Sequence, residues 1–138
     1  MIDYGNFSKA LKNLELQYDN YKNLDDELPE LTKEGVAEST IHRFEICYDC
    51  LWKVLKRYLT EELGIPDVPN SPKPILKLAD ENNLFGTLLD QWLAYADARI
   101  DTTHDYSGEK AEKALGIVGD FIDDAIGLYQ TMSSKTWE

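Results

Sequence analysis

At 138 residues with 43% hydrophobic content, the chain has room for one core of ordinary size, so a single helical domain spanning residues 1–138 is expected. Its 14 basic side chains against 26 acidic ones give a formal charge of -12, which opposes indiscriminate binding to nucleic acid or anionic membrane, so any contact with RNA must be local. Apolar runs fall far short of the roughly 20 residues that span a bilayer, and the start MIDYGNFSKA lacks the basic stretch and apolar core of a signal peptide; a cytoplasmic protein with no membrane partner is expected.

Along the chain, apolar residues recur at helical spacing. Phe7, Leu11, Leu14, Tyr18 and Tyr21 mark a first helix, and Asp25-Asp26-Glu27 reads as a solvated connection after it. Ile41, Phe44, Tyr48, Leu51, Leu55 and Leu59 mark a second, from about Thr32 to Leu63, which Gly64 and Pro66 stop. That segment also carries Ile46, Cys47, Cys50, Trp52, Val54 and Tyr58, more apolar surface than one narrow stripe holds. It is expected to pack on two sides, centrally or at a dimer interface. Cys47 and Cys50 form a CxxC inside this helical pattern. With no second Cys/His pair for zinc and no preceding strand for a redox motif, they read as core packing.

In the connection PDVPNSPKP, Ser71 followed by Pro72 reads as an N-cap with proline at the first helical position, opening a short third helix to about Asn82. Asn82-Asn83 breaks it. A fourth helix runs through LLDQWLAYADARI with Leu88, Leu89, Trp92, Leu93 and Ala96 at core spacing; DYSG interrupts, and AEKALGIVGDFIDDAIGLYQ makes a fifth. No segment alternates as a strand, and there is no repeat or Gly-rich phosphate loop. The expected fold is all-α: an antiparallel up-and-down four-helix bundle with one additional short helix.

The stretch ARIDTTHDYS gathers Arg99, His104 and Tyr106 at the end of the fourth helix. On a regular helix Arg99 and His104 differ by roughly 140° of rotation, which makes Thr103 the better neighbour of the arginine. Thr102 and Thr103 are modest helix formers and Ser107-Gly108 is a breaker, so a helix ending near His104 would let imidazole and guanidinium converge. Such a pair suits RNA cleavage without a metal, His104 taking the proton of a ribose 2′-hydroxyl and Arg99 steadying the charged phosphorane. The plainer alternative, which spacing alone favours, pairs Arg99 with Asp97 or Asp101 and leaves His104 capping its own helix.

RFEICYDCLWKVLKRYL, SPKPILKLADENNLF and WLAYADARIDTTHDYS, in that order, resemble the small HEPN-domain proteins of the MNT/HEPN toxin-antitoxin type, also called nucleotidyltransferase substrate-binding proteins. The resemblance covers about Phe7 to Tyr129. Its most specific part is R-x4-H-x-Y, matched by Arg99, His104 and Tyr106, with the upstream elements Phe44-Glu45 and Trp52 to Leu59. It implies a homodimer whose Arg99 and His104 line one cleft, a metal-independent endoribonuclease needing no cofactor, and a separately encoded minimal nucleotidyltransferase that silences it by transferring AMP to Tyr106. One departure is Ile100, where many members have a polar residue, commonly Asn; Asp101 and Thr103 are the polar groups expected to support the pair. The runner-up reading is a non-catalytic substrate- or nucleotide-binding subunit of a two-chain nucleotidyltransferase, and a third is an inactive dimeric adaptor. The chain itself carries no GS-x-A-x-G-like turn with paired aspartates, so nucleotidyl transfer would belong to another chain.

Other candidates read more plainly. Asp120, Asp123 and Asp124 share a helical face that could gather a divalent cation, but such triads are usually solvated, and no metal is expected. His42-Arg43 reads as a surface pair. Trp52, Tyr58, Trp92 and Tyr95 could stack bases, although aromatic residues at this spacing usually form core.

Overall fold

The computed structural model describes residues 1–104 and 108–138, His104 by its backbone alone. Five helices follow one another: α1 (Gly5–Lys22), α2 (Glu30–Glu61), α3 (Pro72–Glu81), α4 (Leu89–His104) and α5 (Gly108–Ser133). Among the described residues there is no strand. The expected fold class holds: α1, α2, α4 and α5 form the bundle and α3 is the additional short helix, packed on α2 and α4.

The end of α2 and the start of α3 have local causes. Beyond α2, Gly64 takes a left-handed backbone (φ 65°) at no steric cost, and the amides of Leu63 and Ile65 fold back on the carbonyls of Tyr58 and Leu59. Ser71 has the extended backbone of an N-cap, yet its side chain caps nothing. The reason lies in the sequence: an N-cap oxygen seeks the second or third helical amide, and the third position here is Pro74, which has none. The first turn closes instead through the Ile75 amide on the Ser71 carbonyl at 3.2 Å.

The buried side chains form a hydrophobic cluster to which all five helices contribute. Its centre is a relay of aromatic rings: Phe44 of α2 meets Phe121 of α5 edge-on at 5.0 Å, Phe121 meets Tyr95 of α4 at 5.2 Å, and Tyr95 meets Trp92 at 5.4 Å. Trp92 and Tyr95 are therefore core, as the spacing suggested, and Cys47 is a buried free thiol. One expectation fails. Leu88 is 78% exposed because α4 begins one residue later, so Leu88 never enters the helical phase that buries Trp92. Ile46, among the apolar residues of α2 outside its main stripe, is exposed in the single chain. No helix of the described residues is long and apolar enough to cross a membrane.

Candidate functional site

The relay fixes α4 against α2 and α5, and this decides where Arg99 points. Glu45 and Asp49 lie four positions apart on α2, hence on one face; Arg99, Thr102 and Thr103 lie three and four apart on α4. The two faces meet. Arg99 donates through Nη1 to Glu45 Oε2 at 3.0 Å and to Thr103 Oγ1 at 2.7 Å, while Nε and Nη2 reach the two oxygens of Asp49 at 3.3 and 3.1 Å. Thr102, buried, donates to the same Glu45 oxygen at 2.9 Å. His42, one turn before Glu45, stands 3.9 Å from its other oxygen but is largely exposed.

This arrangement differs from the local pairing that spacing alone suggested. Asp97 is taken by Lys73 at 2.7 Å, and the acids that hold Arg99 come from a helix some fifty residues upstream in the chain. Asp101 is half-buried, and two residues along the helix turn it roughly 200° from Arg99. The sequence reading missed Glu45 and Asp49 as partners. A signal did exist for Glu45: it lies four residues after Ile41 and three before Tyr48, on an apolar stripe, where a carboxylate survives burial only if it is paired.

Arg99 opens onto a groove of about 390 Å³ between α2, the start of α3 and α4, lined by Tyr48, Asp49, Trp52, Lys73 and Ile100 among others. Trp52 is half-buried there and Ile100 is 53% exposed. Burial raises the Tyr48 phenol well above its ordinary value of 10.0, and the charge of Asp49 adds to this, so it remains a neutral O–H at any ordinary pH. Two larger hollows, of about 780 and 650 Å³, are poorer seats for phosphate. Glu30, Glu34, Glu38 and Glu112 crowd the first, and Asp120, Asp123 and Asp124 the second. Among the described residues no group of acids, histidines or cysteines is gathered for a metal, and Asp124 accepts a hydrogen bond from the Tyr95 hydroxyl.

His104 is the last described residue of α4. The His104 side chain and Tyr106, and with them the expected convergence of imidazole and guanidinium, lie outside the described residues.

Known proteins of similar sequence and shape bear on the same region. A family model described as nucleotidyltransferase substrate binding protein like matches residues 2–134. A probable ribonuclease HepT from Haemophilus influenzae is 28% identical over 116 residues, which cover 83% of this chain and 79% of that protein. A solved Haemophilus influenzae structure, described as revealing the fold of a substrate binding domain of a nucleotidyltransferase, superposes with a TM-score of 0.85 at 25% identity, over 95% of this chain and 99% of the other. A crystal structure from Thermus thermophilus does so with a TM-score of 0.74 at 26% identity, over 91% and 98%.

Proposed function

Since the chain belongs to the nucleotidyltransferase substrate-binding-protein-like, or HepT-like, family, we propose that it is a metal-independent endoribonuclease of a toxin-antitoxin pair, controlled by a separate nucleotidyltransferase. The observation that carries this reading is Arg99: a guanidinium fixed from two helices at the mouth of a groove, five residues ahead of His104, the last described residue of its helix. A relative described as a probable ribonuclease supports it.

In this reading His104 takes the proton of a ribose 2′-hydroxyl, the oxygen attacks the adjacent phosphorus, and the bond to the 5′-oxygen breaks as that oxygen regains a proton from water. A 2′,3′-cyclic phosphate and a 5′-hydroxyl result. Arg99 stabilises the phosphorane, whose added charge a fixed cation binds better than it binds the ground state. Thr103 shares that task by holding Nη1. Two protomers in a homodimer would bring two such pairs to one cleft. Control comes from AMP transfer: the Tyr106 hydroxyl gives up its proton and attacks the α-phosphate of ATP on the partner enzyme, pyrophosphate leaves, and the new phosphodiester adds bulk and negative charge two positions along the chain from His104.

Purified, unmodified protein is expected to cut RNA in EDTA, and His104→Ala to abolish cutting without unfolding the protein. Failure of folded wild-type protein to cut any RNA would sink the ribonuclease reading. Co-expression with the nucleotidyltransferase should add AMP-sized increments to the intact mass, lost in Tyr106→Phe. The second reading, a non-catalytic substrate-binding subunit, is favoured by the description of the Haemophilus influenzae fold as such a domain. It predicts no cleavage and a nucleotide affinity that appears only in complex with the nucleotidyltransferase.

A further inference from the structure

The two carboxylates on Arg99 are not equivalent. The Glu45 side chain is 8% exposed, and its Oε2 also accepts from the buried Thr102 hydroxyl, so withdrawing it would strand polar atoms in the core. Asp49 is 38% exposed, on the groove side, and can turn into water at little cost. They also hold different edges of the guanidinium. Glu45 takes Nη1, whereas Asp49 spans Nε and Nη2 with its two oxygens. That second edge is the planar fork whose spacing matches two oxygens of a phosphate.

We infer that Glu45 is the positioning residue of Arg99, and that Asp49 is an exchangeable counter-ion occupying the seat a backbone phosphate of a single-stranded nucleic acid takes when it binds. The inference rests on the reading of Arg99 as the phosphate-directed cation. Asp49 thereby sets affinity: with it in place, the fork edge of the guanidinium is taken by a carboxylate, which an incoming anion must displace. Phosphate enters by taking over the fork while Asp49 swings to solvent. Weak or nonspecific anions fail to displace it, which suits a chain whose overall charge already repels polyanions.

The test uses a dye-labelled oligothymidylate, which lacks the 2′-hydroxyl and so reports binding without cleavage, read by fluorescence anisotropy at fixed low salt. Asp49→Asn keeps the shape and removes the charge. It should bind about tenfold more tightly than wild type, on the scale of one charge-assisted hydrogen bond no longer in competition. Asp49→Ala should change binding in the same direction. Adding Arg99→Gln should erase the gain, and Asp123→Asn, an equal charge change on α5 away from Arg99, should give little of it. Glu45→Gln should weaken binding and lower the melting temperature together. No gain in either Asp49 variant, an equal gain in Asp123→Asn, or a gain that survives loss of Arg99 overturns the assignment. If wild type cuts no RNA but Asp49→Asn still tightens through Arg99, the seat stands and the ribonuclease reading falls. If wild type cuts RNA and Asp49→Asn neither binds more tightly nor lowers the KM for RNA, the reverse holds.

Discussion

Glu45→Gln tests the packing logic that places Arg99, independently of any activity. The substitution keeps the side chain's volume and one carbonyl acceptor but removes the charge facing Nη1 at 3.0 Å and disturbs the acceptor of the Thr102 hydroxyl at 2.9 Å. Removing one partner of a fully buried ion pair costs about 3 to 5 kcal/mol. That is an upper bound here, because Arg99 is 25% exposed and keeps Asp49 and Thr103. About 2 kcal/mol is the reasonable expectation once water and the remaining acceptors share the load. For 138 residues, with an unfolding entropy of about 2.1 cal/mol/K per residue, this lowers Tm by about 7 °C. The assay is a double-mutant cycle of Glu45→Gln with Arg99→Met by urea denaturation, where residues in direct contact show coupling of about 0.5 to 3 kcal/mol. A single-mutant cost under about 0.5 kcal/mol, or a coupling energy indistinguishable from zero, would refute the claim that Glu45 holds Arg99.

Two further outcomes follow from backbone and titration. Gly116 lies inside α5 with open space where a Cβ would stand, so Gly116→Ala should stabilise by up to about 1 kcal/mol, whereas Gly64→Ala, forced to φ 65°, should cost about 1 to 2 kcal/mol; urea midpoints that move in the same direction for both would contradict this. Burial raises Cys47 above its ordinary value of 9.0 and Tyr48 and Tyr95 above 10.0. The native state thus keeps protons that the unfolded chain releases, and the stability these groups provide is intact below pH 9 and declines as pH rises beyond it. Urea midpoints should fall steadily above that pH, and less steeply above pH 10 in Tyr48→Phe; identical slopes in the two proteins would count against it.

How much of this was legible beforehand differs by level. The five helices, their order and most of the core follow from apolar spacing and from stop signals such as Gly64, because a helix's buried face and its end are local properties of the chain. Leu88 was misplaced because α4 starts one residue after it, a boundary that spacing alone cannot fix. At the site, the sequence offered Arg99 and Thr103, correctly as neighbours on one helix, and the Arg99 to His104 interval. It gave Glu45 no role beyond membership of a matched motif, and passed over Asp49.

The sequence by itself therefore determined an all-α bundle, the family, and a cation on the fourth helix five residues ahead of a histidine. Only the tertiary structure decided what that cation holds. Arg99 had acids two residues away on either side, at Asp97 and Asp101, yet ion pairing in a bundle follows helix rotation rather than chain distance: Asp97 faces Lys73, and the guanidinium reaches Glu45 and Asp49 across the interface with α2. Which helix faces align is fixed by how the rings of Phe44, Phe121 and Tyr95 pack, a collective property that no local window of sequence contains.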